Sequence, residues 1–259
     1  MRLFDEAIAQ YLADNTMASV GMASSGGQGG GEYADGDTYA PEDNRLPKIL
    51  GCTIKRQGKV KKTELSAYSR PRNSGLIATK LNDGDRLIGT RLVSAGDHVM
   101  IVTAGGQVVR FDEGDARPMG RNAAGVKGAK LKAGDKVVDL VAGNEDEYLL
   151  IACENGYGKR TRIGEFRLTK RGSQGVVGIK TNDRNGPVVN ARNASRCSDV
   201  LFSTASGMLV RTKAEDISVQ GRATQGVRLV NLKDGDKLIG LAAIPHEQNE
   251  DSADETATE

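Results

Sequence analysis

Apolar residues in this chain come in short runs broken at regular places. Residues 99–103 are continuously apolar up to Thr103, Gly105-Gly106 interrupts, and 108–111 follow; beyond a longer loop come 126–131, then a Gly134-Asp135 turn, then 137–140. Runs of four to six residues joined by X-Gly signals predict short strands and tight turns, because glycine accepts the positive φ such turns need. The unbroken apolar character of 99–103 fits an inner strand covered on both faces. The ends of the chain read differently. Leu3, Phe4, Ile8, Tyr11 and Leu12 fall at helical spacing and predict a short amphipathic helix within residues 1–20. Residues 21–46 are rich in Gly, Ser and acids and read as a linker; no Lys-Ser or Lys-Thr follows the glycines at 26–31, so they do not form a phosphate loop. Residues 247–259 read as a disordered acidic tail.

The stretch 47–246 is a fourfold repeat. Hairpin signals recur at Gln57-Gly58, Gly105-Gly106, Asn155-Gly156 and Ser206-Gly207, with the second glycines 48, 50 and 51 residues apart. A marker glycine before an apolar residue recurs as Gly75-Leu76, Gly125-Val126, Gly175-Val176 and Gly226-Val227. A Gly-Asp turn before an apolar pair appears at Gly84-Asp85, Gly134-Asp135 and Gly235-Asp236, with Asn185-Gly186 in the third repeat. A period near 50 built of short strands predicts an all-β, propeller-like array of about four four-stranded blades. Each repeat alone has too little core, so neighbouring sheets must stack to bury one.

Composition narrows the function. The run Tyr148–Cys153 is the longest apolar one, far below the roughly 20 residues of a membrane helix, so no membrane partner is expected. Asp5 and Glu6 interrupt the apolar start, which is no signal peptide. Cys52, Cys153 and Cys197 have no short spacing, which points to reduced thiols in a cytoplasmic protein. Two histidines and no carboxylate cluster argue against a metal or cofactor site; Asp83, Asp85, Asp234 and Asp236 sit in repeated turns and read as turn residues. The net charge of +2 conceals segregation. Residues 1–46 hold two bases against eight acids, and 247–259 hold six acids and no base; the remainder carries 34 bases against 20 acids, a balance of +14. A basic body points to a polyanion, nucleic acid first, with the acidic tail as an internal competitor.

The cations are in register. Four residues past each hairpin glycine stand Lys62, Arg110, Arg160 and Arg211; before the marker glycines stand Arg72, Arg121, Arg171 and Arg222. The densest cluster adds Lys159, Arg162, Arg167 and Lys170. Bases at one position of successive blades are expected along one rim, as a curved cationic band. With few aromatics to stack on bases, such a band suits duplex phosphates. A rim of bases that only confers solubility is the alternative.

The same residues carry a resemblance. Residues 58–63, 81–89, 106–111 and 121–128, and above all Asn155-Gly156-Tyr157-Gly158-Lys159-Arg160-Thr161, resemble blades of the C-terminal β-pinwheel domain of DNA gyrase A and of its topoisomerase IV equivalent. That resemblance implies strands exchanged between blades and a domain that wraps double-stranded DNA. It also implies two partners, a breakage-reunion domain and the ATPase subunit of a type II topoisomerase, in a bacterial, nucleoid-associated setting. The family domain usually has six blades, and a Gln-Arg-Arg-Gly-Gly-Lys-Gly box on its first blade has no counterpart here. No tyrosine follows an arginine and no Walker loop is present, so no catalytic residue is expected. A protein-interaction scaffold and a self-contained enzyme are the other function classes; the first calls for apolar hot spots on a rim, and the second has no supporting residues.

Overall fold

The computed structural model describes residues 50–68 and 75–244. The expected helix within 1–20, the linker, the acidic tail and Arg72 lie outside the described residues. In chain order the strands are β1 (Leu50–Lys55), β2 (Lys59–Glu64), β3 (Leu87–Val93), β4 (His98–Thr103), β5 (Gln107–Asp112), β6 (Val126–Lys127), β7 (Val137–Gly143), β8 (Tyr148–Cys153), β9 (Tyr157–Arg162), β10 (Val176–Val177), β11 (Val188–Asn193), β12 (Asp199–Thr204), β13 (Leu209–Lys213), β14 (Val227–Arg228) and β15 (Leu238–Ile244). They form four antiparallel sheets in the orders β3-β1-β2-β6, β10-β5-β4-β7, β11-β8-β9-β14 and β13-β12-β15. Short 3-10 turns follow β2, β5, β9, β11 and β13.

The repeat seen in the sequence is therefore not the blade. The apolar pattern predicts the third strand of a repeat over 126–131; the strand is two residues long and belongs to the sheet before it. β6 pairs with β2, β10 with β5 and β14 with β9. Each repeat hands its outermost strand back across the gap, which is the exchange implied by the resemblance. The fourth sheet has three strands among the described residues.

Stacking explains the sequence pattern. On β4, Val99 and Ile101 face the first blade, while Met100 and Val102 face the third. On β8, Leu149 and Ile151 face the second blade, and Leu150 and Ala152 the fourth. Strands with both faces buried lose the period-two alternation. It returns on β12, where Val200 and Phe202 are buried and Leu201 and Ser203 are half-buried. The strands β3, β7, β11 and β15 lie against one another as the inner layer. Asp139 of β7, itself buried, pairs there with Arg91 of β3 at 3.0 Å and with Arg192 of β11.

The Gly-Asp turns do more than reverse the chain. Asp85 Oδ1 accepts from Gln57 N at 3.1 Å, Asp135 Oδ1 from Gly105 N at 2.9 Å and Asp236 Oδ1 from Ser206 N at 3.0 Å. Each aspartate ties the turn before the inner strand to the first hairpin of its own blade.

Candidate nucleic-acid interface

The four bases past the hairpin glycines do not form one solvent-facing row. Lys62 is buried; its Nζ donates to Glu113 O at 2.9 Å and pairs with the Glu113 carboxylate. Arg110 is 2% exposed and donates to Phe166 O at 2.8 Å, Ile163 O at 3.2 Å and Glu145 Oε1 at 2.5 Å. Its Nη2 also meets His98 Nδ1 at 2.9 Å. Arg160 donates from Nε to Ile217 O at 2.7 Å and from Nη2 to Glu215 O at 2.6 Å, with its guanidinium 5.5 Å from the Tyr148 ring centroid. Each of these three reaches the 3-10 turn of the next repeat. The backbone repeats the joint: Met119 N donates to Lys62 O, Thr169 N to Arg110 O and Gln220 N to Arg160 O, at 2.8, 2.9 and 2.8 Å. They are latches between blades, held in register because the joint recurs. Arg211, at the same position on the last blade, pairs with Asp199 of its own sheet at 2.5 Å and is 64% exposed.

Lys159 is buried as well. Its Nζ donates to Gly221 O at 2.5 Å and to Arg222 O at 2.6 Å, stapling the loop that leads into β14. Lys61 does the same for blade one, donating to Arg121 O at 2.5 Å and Ala78 O at 2.6 Å. Burial pulls both ammonium groups down to about 8. For Lys159, Glu165 opposes that shift and Arg222 adds to it; for Lys61, Lys55 and Arg121 add to it. Burial also pushes the Cys52 and Cys153 thiols up to about 12, which leaves them inert.

The remaining cations of the predicted band lie nearer solvent. Arg162 is exposed beside Asp146, and Lys170 is exposed. Arg171 is exposed and donates to Asp115 O at 2.9 Å and Lys127 O at 3.2 Å. Arg121 and Arg222 are half-buried, their carbonyls held by Lys61 and Lys159.

A second register escapes the sequence reading except for Arg167 and its neighbour Lys170. Five residues past the marker glycines stand Lys80, Lys130 and Lys180, all exposed, and just past two 3-10 turns stand Arg117 and Arg167, also exposed. Lys130, Lys180, Arg117, Arg167 and Lys170 make no ion pair with a described residue. They lie on the segments that cross from one blade to the outer edge of the previous one. Those segments run beside each other: Gly172 N donates to Gly128 O at 2.6 Å, Lys130 N to Ser173 O at 2.8 Å and Lys180 N to Thr224 O at 2.9 Å. Nearby, Arg184 and Arg228 lie over the Tyr157 ring, 4.7 and 5.6 Å from its centroid. The signal for this row is present in the sequence, but its bases fall beyond the glycine and apolar positions that define each repeat.

The family model described as "DNA gyrase C-terminal domain, beta-propeller" matches residues 56–94, 97–144, 147–195 and 198–245, one segment per repeat. The chain belongs to the DNA gyrase C-terminal domain family. The DNA gyrase A protein of Salmonella typhimurium is 45% identical over 197 residues, which are 76% of this chain and 22% of that protein. The DNA gyrase A protein of Escherichia coli K12 is 43% identical over 223 residues, 82% of this chain and 26% of that protein. This chain thus spans about a quarter of the length of these relatives. A solved gyrase A C-terminal domain superposes with a TM-score of 0.69 at 29% identity, covering 78% of this chain and 68% of that one. The C-terminal domain of DNA topoisomerase IV gives 0.70 at 27% identity, covering 79% and 64%. The blade fold is that of this family. Among the described residues no helix is long and apolar enough to cross a membrane.

Proposed function

We propose that this chain is a sequence-nonspecific duplex-DNA-binding module of a gyrase-type topoisomerase, and that it wraps DNA along the outer edge of its blades. The observation that carries this reading is the row of exposed cations on the crossing segments, unpaired among the described residues: Lys130, Lys180, Arg117, Arg167 and Lys170. Arg121, Arg162, Arg171, Arg211 and Arg222 extend the row, and Arg72 joins it by register alone. Lys62, Arg110, Lys159 and Arg160 act beneath it, holding the segments in place. A recurring cation with no ion-pair partner among the described residues suits phosphates, which position a duplex without reading its sequence. Counterion release along the row opposes the cost of bending, on the order of 1–6 kcal/mol for a short site.

Cleavage and ATP turnover are assigned to other parts of the enzyme, a breakage-reunion domain and an ATPase subunit in the bacterial cytoplasm, at the nucleoid. Gyrase is favoured over topoisomerase IV by the 43–45% identity to the gyrase A proteins. The test is the salt dependence of binding to linear duplex. Replacing Lys130, Lys180, Arg117 and Arg167 with Gln should flatten the slope of log K against log salt by about 3.5, at roughly 0.9 per phosphate. An unchanged slope would place the DNA elsewhere and sink the proposal.

A further inference from the structure

The segments 116–121, 166–171 and 217–222 share one exposure pattern. Ala116, Phe166 and Ile217 are buried, the next two residues are exposed, and the one after is half-buried. The exposed pairs are Arg117-Pro118, Arg167-Leu168 and Ser218-Val219. The second member is apolar each time, and Leu168 and Val219 stand 48% and 49% exposed. Three places further on comes an arginine each time: Arg121, Arg171 and Arg222. None of these three, nor Arg117 or Arg167, makes an ion pair with a described residue.

These apolar residues are mounted on the stiffest part of each joint. Pro118, Leu168 and Val219 bridge in parallel to Lys62, Arg110 and Arg160, the three latch residues. The residue after each donates its N–H to the latch carbonyl, and Arg160 N donates to Ser218 O at 3.0 Å. A single exposed apolar side chain needs no explanation. One held at the same place in three rigid joints, between cations, points to a ligand that is apolar where it touches them and anionic on either side. Proline, leucine and valine share no shape, only the lack of a polar group. Beside Leu168 the groove is lined by Asp112 and Asp115 as well as Arg167 and Lys170. Charge nearly cancels there, so the apolar contact carries more of the recognition.

We propose that Pro118, Leu168 and Val219 lie against the sugars of a bound duplex and select deoxyribose over ribose. The inference rests on the duplex-binding reading above and adds to it what the cations cannot supply. Phosphates are the same in DNA and RNA, so a row of bases alone binds either. The sugars differ: C2′ of deoxyribose carries only hydrogens, whereas ribose places a hydroxyl there that both donates and accepts. Pressed against proline, leucine or valine, that hydroxyl loses water and gains no partner, which costs binding. Deoxyribose loses nothing and buries apolar surface.

The test titrates the 259-residue chain against three duplexes of one sequence, DNA, RNA and 2′-fluoro RNA, over a range of salt. The fluoro duplex keeps the A-form shape of RNA and lacks the hydroxyl. The wild-type chain should bind DNA about tenfold or more tighter than RNA, and the fluoro duplex clearly tighter than RNA. A chain carrying Pro118→Ser, Leu168→Asn and Val219→Thr should lose about tenfold in DNA affinity at an unchanged salt slope. Its affinity for RNA should not fall, and its gain from fluorine should vanish. Leu168→Met should behave as the wild type. The replaced side chains face solvent, so the triple variant should melt as the wild type does; the fluoro comparison on the wild-type chain holds even where it does not. Wild-type DNA binding that ignores salt would sink the cation row and this inference with it. With the salt slope intact, a fluoro duplex bound no better than RNA would show that helix shape does the selecting. A DNA-to-RNA ratio unmoved by the triple substitution would show that these residues touch no sugar. Either result overturns the inference and leaves the cation row standing.

Discussion

Arg110 and Arg211 occupy the same position of different repeats, so comparing them separates a latch from a phosphate contact. Replacing Arg110 with Met keeps the apolar stem and deletes the guanidinium. The carbonyls of Ile163 and Phe166 then lose their charged donor, and both residues are fully buried. Hydrogen bonds to a charged group contribute about 1.5–3 kcal/mol each. Glu145 loses a partner too, but it is 61% exposed and water replaces the arginine there at little cost. The expected loss is therefore about 3–5 kcal/mol. Arg211→Met removes a surface pair with Asp199 and should cost no more than about 1 kcal/mol. Urea unfolding reads both as shifts in midpoint at constant slope. In DNA titrations at a temperature where both variants are folded, Arg110→Met should keep the wild-type salt slope. Equal, small losses of stability in the two variants, with a slope flatter by about 1 for Arg110→Met, would show that Arg110 meets phosphate and that the latch reading is wrong.

Two further outcomes follow from buried groups and tight turns. The folded chain releases protons from Lys61 and Lys159 at about 8, while the unfolded chain holds them to about 10.5. Stability should therefore rise as pH increases through that window, by about 1 kcal/mol per lysine between pH 7.5 and 9. The Cys52 and Cys153 thiols oppose it only above about 9, and the rise should vanish in a Lys61→Met, Lys159→Met chain followed by thermal melts across that range. Gly106 and Gly134 both have positive φ, 76° and 77°, but a Cβ on Gly106 would stand 2.3 Å from Ile179 O, whereas one on Gly134 would meet open space. Gly134→Ala should cost about 1–2 kcal/mol, and Gly106→Ala should cost more and lower the melting temperature further; equal costs would contradict the close approach at the joint.

The number of repeats, the strands β4, β5 and β7, the hairpins and the all-β class are all legible in the residues themselves. They depend on local signals: glycine at positive φ, runs too short for helices, and a period that brings the same environment back. The register of the cations is legible for the same reason. Which environment recurs is not. A latch and a phosphate contact both call for a base at a constant spacing, and only the neighbouring blade, some 50 residues away in the chain, supplies the carbonyls that occupy Lys62, Arg110 and Arg160. The two-residue strands β6, β10 and β14 hold too few residues to show a period, so their handover to the previous blade is legible only through the family resemblance. Val60 and Leu209 make the same point: they share a position in the repeat, yet one is buried under β6 and the other stands exposed on the edge of β13. A local pattern encodes the hairpin, while the burial of its outer edge depends on a strand contributed from the next repeat, and so it is set only when the blades assemble.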